Sequence, residues 1–448
     1  MRWRTKPVET VRPARFRPPF CPWPDCPAHH RRGRSGSRSC GRGLIRYGSF
    51  SRAADRRRVP RFRCRDCGRT CSQQTFSCTY FLKRPALLPA VAAGLQAGSA
   101  HRQLARSLRC AKTSVTRLAR RLATHAVLLQ ARLEAELPPL SEAVVHDHFE
   151  SFVGCQQQAL ALGTAVGARS RFVFGPDPAP HRGSGRRPER PDGSVPPWAE
   201  SNAYVHSIRR SLDRLLRLVP EGQQLVLVAD GRSDYRTALK DHPAAERIRL
   251  VAHPNPVRGP KGSPRSKEAI ARDLAMAPVD QWHQLLRHTC AEHKRETIAF
   301  GRAQQAVLGR AFLTTVWKNL VKGRSERRPD RTTPAMALGL TAEPWPWERV
   351  LAQRLFPERE ALPDSWRPLL GPRRQPEDRP PDSAPAPVPT SDSAPPHQQA
   401  CGHRGLPPHH VPTTWKSARA PLPGASFTVA KRGMARSVAP FAPIGVMR

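Results

Sequence analysis

Three acidic residues of the sequence stand where a divalent metal ion could be bound. Asp147 lies within an alternating apolar and polar run, which predicts a β-strand. Asp230 closes the run Leu-Val-Leu-Val-Ala-Asp, which is typical of a strand buried on both faces. Glu296 lies in a long segment with apolar residues at helical spacing. Two carboxylates on neighbouring strands and a third on a helix packed against them can hold two Mg²⁺ or Mn²⁺ ions about 3.5–4 Å apart for phosphoryl transfer.

The three acids differ in how strongly their context favours a functional role. An acid at the end of a buried strand is costly to bury unless it is paired or bound to metal, which favours Asp230. The segment from Asp280 to Gly323 contains no proline, so it is predicted to form one helix that carries Glu296. Asp280 can cap this helix and Gly323 can end it. Glu292 and Glu326 remain alternatives to Glu296.

Two cysteine pairs predict a small domain that is held together by a bound metal ion. Cys64 and Cys67 are separated by two residues and followed by Gly68, a spacing that suits one tetrahedral zinc ion. Cys21 and Cys26 are the predicted partners, although four residues separate them. Other candidate ligands nearby are Cys40, Cys71, Cys78, His29 and His30. Four protein ligands leave no open coordination position, so the zinc is expected to be structural.

Residues 86–135 carry Leu, Ala and Arg at helical spacing and predict two or three short helices. Within them, residues 99–122 read as helix, turn and helix, a pattern common in DNA-binding proteins. Thr113, Ser114 and Arg117 would begin the second helix and face the major groove.

The charge of the chain points to a polyanionic partner. Lys and Arg total 75 against 35 for Asp and Glu, the formal net charge is +40, and the pI is about 11.4. This excludes an ordinary metabolic enzyme and favours nucleic acid as the partner. No apolar run is long enough to span a membrane, and seven of the eleven cysteines cluster locally, so we expect no membrane contact and a reducing, cytoplasmic or nucleoid location.

The order of these parts resembles bacterial insertion-sequence transposases of the DDE type. These proteins have an N-terminal zinc ribbon, a helix-turn-helix and an RNase H-like catalytic domain. The motifs that carry the resemblance lie at residues 62–76, 146–150, 228–231, 293–302 and 316–336. Together the matching parts cover about residues 20–357.

The resemblance implies a set of roles. The family's first aspartate corresponds to Asp147, its second to Asp230 and its helical glutamate to Glu296. The implied reaction is metal-assisted hydrolysis at the ends of the element, followed by attack of the exposed 3′-hydroxyl on target DNA. Double-stranded DNA is the implied partner, and such enzymes commonly act as homo-oligomers.

Basic residues near the predicted glutamate are candidate DNA contacts. They are expected on the same helix as Glu296, near or beyond it, where they could hold phosphates: Arg295, Arg302, Lys318 and Lys322.

The expected architecture has several domains. A zinc ribbon-like module occupies residues 15–85, a helix-turn-helix 86–135, an α/β RNase H-like domain with a mixed sheet 136–360, and a disordered Pro-rich tail 361–448. An irregular insertion is expected at residues 175–199.

Three other readings remain open. The chain could be a zinc-containing transcription regulator that needs no acidic residues for its function. It could be a nuclease or junction resolvase, which cuts DNA without joining the product to a second DNA. It could also be an inactive, decayed copy of a transposase.

Overall fold

The computed structural model describes most of the first 371 residues. The described residues are 16–31, 43–53, 57–181, 200–257, 260, 263–294, 297–326, 330–352 and 354–371. Most of the predicted tail, at 372–448, and the candidate residues Cys40, Arg295 and Glu296 lie outside them.

A small antiparallel sheet forms the N-terminal part of the chain. Its strands, in the order β1-β2-β3, are β1 (Leu44–Ser51), β2 (Arg58–Cys64) and β3 (Thr70–Ser72). A short helix, α1 (Pro27–His30), precedes it. Aromatic rings connect this part to a later segment, because Phe356 lies 5.2 Å from Phe20 and 5.8 Å from Phe76 between ring centroids.

Three helices follow in the part where two or three were predicted. They are α2 (Leu87–Gln96), α3 (His101–Ser107) and α4 (Lys112–Ala135). The turn between α3 and α4 contains Arg109 at a φ of 47°, a left-handed conformation that is uncommon for a residue other than glycine. The second half of α4 is almost entirely buried and packs against a later helix, α8 (Gln304–Leu320).

The centre of the molecule is a five-stranded mixed sheet. In chain order its strands are β4 (Val144–Val153), β5 (Cys155–Gly167), β6 (Asp177–Pro180), β7 (Leu225–Ala229) and β8 (Ile248–Ala252). Their order across the sheet is β6-β5-β4-β7-β8. The first three strands pair antiparallel, whereas β4, β7 and β8 run parallel. The strands predicted around Asp147 and before Asp230 are confirmed as β4 and β7.

Helices cover both faces of this sheet, since a parallel strand must bury both of its faces. On one face lie α5 (Ala203–Leu216) and α6 (Ser233–Lys240), which pack against Leu225 and Leu227. On the other face lie α7 (Lys267–Thr289) and α8, which pack against Val145 and Phe149 of β4. Two four-residue helices, α9 (Pro334–Ala337) and α10 (Trp347–Val350), follow α8.

The prediction of one long helix over 280–323 is wrong. The helix α7 begins at Lys267, capped by the Ser266 side chain, and ends at Thr289, so Asp280 lies inside it and is not its cap. A 3-10 turn at Ala291–His293 separates α7 from α8. The apolar spacing continues across this break because both helices bury one side in the same core.

Two segments predicted to be irregular are ordered. Within the expected insertion, β6 forms the edge of the sheet and pairs Asp177 with Gly163 and Pro180 with Leu160. Its two prolines hide the strand in the sequence, and an edge strand tolerates them because one side needs no ladder bond. Residues 182–199, the remainder of that insertion, lie outside the described part.

The beginning of the expected tail is also part of the core. Asp364–Leu370 form a 3-10 helix in which Trp366 is 0% exposed, with its ring 4.7 Å from that of Phe312. Gly175 makes room for it, because a Cβ there would lie 2.3 Å from two atoms of the Trp366 ring. Just before Gly175, Val173 forms one isolated bridge with Val166.

Among the described residues, every helix is too short or too polar to cross a membrane.

Candidate functional site

Asp147 lies on β4, and Asp230 directly follows the end of the neighbouring strand β7. The parallel pairing aligns Val145 of β4 with Val228 of β7, and each aspartate follows its partner by two residues. Side chains two apart on a strand share a face, so Asp147 projects to the side of Val145, the side that α7 covers. The predicted strand around Asp147 and the predicted strand that leads into Asp230 are confirmed, and these two strands are neighbours in the sheet.

The environment of Asp147 disfavours its charged form. Burial comes first, and the nearby charges of Asp230 and Asp280 add to it, so that the pKa of Asp147 rises to about 7. The backbone N–H of His148 partly offsets this by donating to Asp147 Oδ1 at 2.7 Å. A partly buried carboxylate beside a second one, with its pKa raised, is an arrangement that a divalent cation would neutralise.

Two residues beside Asp147 were not among the sequence candidates. His283 of α7 places Nδ1 3.7 Å from Asp147 Oδ2, and its Nε2 lies 2.7 Å from the hydroxyl of Thr164. Thr164 is the residue of β5 paired with Asp147, and its hydroxyl donates to the Asp147 carbonyl oxygen at 2.9 Å. A lone histidine on a helix carries no sequence signature, which is why this contact escaped prediction.

A third carboxylate on α7 lies near the pair. Asp280 contributes to the raised pKa of Asp147, and its Oδ2 accepts a hydrogen bond of 2.5 Å from Arg272. The predicted third acid, Glu296, lies outside the described residues. Its two rivals are engaged elsewhere: Glu292 pairs with Arg310 at 2.9 Å, and Glu326 pairs with Lys322.

The opposite face of β4 carries two buried histidines. The Nε2 atoms of His146 and His148 have no hydrogen-bond partner among the described residues. Both lie 3.4 Å from the position that a Cβ would take at Gly163. His146 is connected to α6 through the hydroxyl of Tyr235, which lies 2.9 Å from His146 Nδ1 and 3.0 Å from its carbonyl oxygen. This contact joins the strand of Asp147 to the helix that follows Asp230.

The four predicted cysteines come together. Cys21, Cys26, Cys64 and Cys67 place their sulfurs within 4.8 Å of one another. The Sγ atoms of Cys21 and Cys67 are 3.7 Å apart, and those of Cys26 and Cys64 are 3.8 Å apart. A tetrahedral zinc ion with Zn–S bonds of about 2.3 Å separates its sulfurs by about 3.8 Å. The cluster could therefore hold a metal ion such as zinc.

Local turns hold these cysteines in place. Cys64 ends β2, and its carbonyl oxygen accepts from the N–H of Gly68, whose φ of 69° suits glycine. Cys26 N donates to the Trp23 carbonyl oxygen at 3.0 Å, which forms the second turn. Burial raises the pKa of the Cys21 thiol, so metal binding would have to displace its proton.

The alternative ligands lie outside the cluster. Cys71 is buried nearby, and burial followed by the charges of Cys64 and Cys67 raises its pKa to about 11. Cys78 places Sγ 3.3 Å from Nδ1 of His125. His29 directs Nδ1 to the Cys21 carbonyl oxygen at 2.8 Å rather than to a sulfur.

The predicted DNA-reading residues lie in the first turns of α4. Thr113 and Arg117 are exposed, Ser114 is half-buried, and Val115 and Leu118 point into the core. The two helices are joined at the surface by His101 Nδ1 and the Thr116 hydroxyl, 3.1 Å apart. Exposed basic residues surround this end of α3 and α4: Arg102, Arg106, Arg109, Lys112, Arg117 and Arg120.

The remaining basic candidates do not share one helix, contrary to expectation. Arg302 precedes α8, Lys318 lies on α8, and Lys322 follows its end. At 1.5 Å per residue, the stretch of α8 from its start at Gln304 to Lys318 is about 21 Å long. Burial, with the charges of Lys322 and other neighbouring cations, lowers the pKa of Lys318 to about 8.

A scan against protein-family models and a search of curated proteins found no match to this chain.

Proposed function

We propose that this protein is a DDE-type DNA transposase that cuts the ends of an insertion element and joins them to target DNA. The observation that carries the proposal is the placement of Asp147 on β4 and of Asp230 directly after β7, the parallel neighbour of β4. We further propose that the sheet is an RNase H-like catalytic core, that the cysteine cluster is a zinc ribbon and that α3 and α4 form a helix-turn-helix.

The donor set at the sheet suits a hard divalent cation. Two carboxylates lie at neighbouring positions, and Asp147 has a raised pKa that a cation would reverse.

Each residue then has a defined part in the reaction. When bound, Mg²⁺ or Mn²⁺ would activate water or a 3′-hydroxyl and neutralise charge on the phosphate. Asp147 and Asp230 would hold the ion from the sheet, and Glu296 is proposed as the third carboxylate. Thr113, Ser114 and Arg117 would position the element end, and Arg295, Arg302, Lys318 and Lys322 are further candidate phosphate contacts.

A strand-transfer assay tests the proposal. Purified protein is incubated with labelled DNA carrying the element ends, a second DNA, and Mg²⁺ or Mn²⁺. We expect joined product with the wild type, DNA binding without cleavage for Asp230→Asn, and wild-type product for Asp241→Asn, a control at an exposed acid.

Two outcomes would replace the proposal with another function. Binding without cleavage or joining by the wild type would favour a transcription regulator or an inactive copy. Cleavage without joining would favour a nuclease or resolvase.

A further inference from the structure

We infer that His283 Nδ1 is a ligand of the divalent metal ion held by Asp147 and Asp230. The inference rests on the proposed function, because it assumes that this carboxylate pair binds such an ion. It adds a nitrogen donor from α7 to a site otherwise composed of carboxylate oxygens.

The hydrogen bonds around Thr164 determine which nitrogen of His283 carries a proton. A threonine hydroxyl has one hydrogen, and here it donates to the Asp147 carbonyl oxygen at 2.9 Å. The 2.7 Å contact between Thr164 Oγ1 and His283 Nε2 can then be made only if Nε2 donates its hydrogen. In the neutral ring, Nδ1 is therefore the nitrogen with a free lone pair.

That lone pair belongs to the nitrogen nearest the carboxylate. His283 Nδ1 lies 3.7 Å from Asp147 Oδ2, too far for a hydrogen bond. Asp147 Oδ1 already accepts from the His148 N–H at 2.7 Å, which leaves Oδ2 as the oxygen without that bond. Two electron-pair donors thus face each other across a gap, and a cation between them would satisfy both.

The arrangement is the one that metal-binding histidines adopt. Such a histidine uses one ring nitrogen as ligand and donates the hydrogen of the other to a fixed acceptor, which orients the ring. Here the acceptor is Thr164, which is itself bonded to the backbone of Asp147. The side chain of His283 is 14% exposed, and its ring centroid lies 5.3 Å from that of Phe149 with the two planes tilted by 60°, so its orientation is held by packing.

The nitrogen ligand gives the site a metal preference. Imidazole binds transition-metal ions well, whereas Mg²⁺ prefers oxygen ligands and retains its waters. We expect removal of the His283 nitrogen to weaken Mn²⁺ binding more than Mg²⁺ binding.

The test measures Mn²⁺ bound to the full-length protein purified with its cysteine site loaded. Titration calorimetry gives the affinity, and pulsed EPR detects a nitrogen atom bonded directly to Mn²⁺. The variant His283→Gln places an amide near the position of Nε2, so it can still donate to Thr164 but lacks Nδ1. His288→Gln, at an exposed position of the same helix, is the matched control.

We expect a directly coordinated nitrogen in the wild type and in His288→Gln. In His283→Gln the nitrogen signal should disappear and the Mn²⁺ affinity should fall at least about tenfold. His283→Asp, which offers an oxygen instead, should recover part of the affinity without the nitrogen signal and thereby separates ligation from a packing role.

The variant Asp230→Asn distinguishes failure of this inference from failure of the proposed function. If Mn²⁺ binding depends on Asp230 but shows no nitrogen and is unchanged in His283→Gln, the inference is overturned and the proposed function stands. If Asp230→Asn binds Mn²⁺ as tightly as the wild type, the carboxylate site itself is refuted.

Discussion

The hydroxyl of Tyr235 makes two contacts with one residue, His146: it donates to the carbonyl oxygen at 3.0 Å and lies 2.9 Å from Nδ1. Because the hydroxyl hydrogen goes to the carbonyl, the ring must donate from Nδ1 to the hydroxyl oxygen. Tyr235 lies five residues after Asp230, and His146 precedes Asp147. The pair therefore connects the two segments that carry the candidate metal ligands.

The substitution Tyr235→Phe should remove both contacts and leave a buried ring N–H of His146 unpaired. An unsatisfied buried donor costs about 1–3 kcal/mol, so the free energy of unfolding measured with urea should fall by that amount. The control is Tyr204→Phe, which removes a hydroxyl bonded to the half-exposed Glu150 and should cost less than about 1 kcal/mol. Equal losses for the two variants would contradict the connecting role of Tyr235.

The variant Asp147→Asn should stabilise the metal-free protein at alkaline pH. The pKa of Asp147 is raised from 3.8 to about 7 in the folded protein. The protonated carboxyl therefore contributes to the stability of the fold below about pH 4, and this contribution is lost as the pH rises through 7. A rise of that size corresponds to at most about 4 kcal/mol. We expect Asp147→Asn to exceed the wild type in urea unfolding at pH 8, with the difference vanishing towards pH 4.

Two controls accompany that measurement. Asp241→Asn, at an exposed acid, should leave the pH dependence unchanged. Saturating Mg²⁺ should stabilise the wild type at pH 8 and not Asp147→Asn, because a ligand that binds the folded state alone raises its stability. If the stability of the wild type and that of Asp147→Asn changed with pH in parallel, the pKa of Asp147 would not be raised by folding.

The cysteine cluster predicts a defined metal content. The wild type should contain about one zinc per chain, measured by elemental analysis, because four sulfurs match the coordination number of a structural zinc ion. Cys64→Ser should lose the metal, whereas Cys71→Ser should retain it, since Cys71 lies outside the group of four. Full zinc content in Cys64→Ser would show that other ligands hold the ion.

Arg117 gives a test of the proposed DNA-binding end of α4. Replacing it with alanine should weaken binding to element-end DNA by about 1–3 kcal/mol if it contacts a base edge, or lower the salt slope by about 1 if it contacts a phosphate. The control is Arg217→Ala, an exposed arginine at the end of α5. The measurement is fluorescence anisotropy over a series of salt concentrations, and identical curves for the two variants would rule out Arg117 as a contact.

Trp366 gives a stability test in a segment where the sequence predicted disorder. The substitution Trp366→Ala removes a fully buried ring that packs on Phe312 and should cost about 3–5 kcal/mol in urea unfolding. Phe81→Ala, at a ring that is 82% exposed, should cost less than about 1 kcal/mol. A small loss for Trp366→Ala would mean that this segment does not belong to the folded core.

The sequence predictions were accurate for features that depend on residues close together in the chain. The runs around Asp147 and before Asp230 show their periodicity within a few residues, so their strands were predicted well. Cys64, Cys67 and Gly68 form a local turn, and that pair was also readable from spacing.

The features that were missed depend on distant partners. His283 contacts Thr164, 119 residues away, and nothing near it in the sequence signals that contact. Trp366 lies in a proline-rich segment and packs against Phe312 and Gly175. Amino-acid composition alone does not reveal such a contact between distant residues. The break between α7 and α8 was hidden because both helices bury apolar residues at the same spacing.

The helix α4 is continuous from its solvent-exposed first turns to the core beside the sheet. This 24-residue helix presents its first turns to solvent and anchors its second half against α8, so it acts as a rigid rod about 36 Å long rather than as a tether. The packing of its second half fixes how the helix is rotated about its own axis. One residue inserted at the middle of the helix would turn the proposed DNA-binding face by about 100°. In the proposed transposase, the bound element end would therefore meet Asp147 and Asp230 at a single rotational setting.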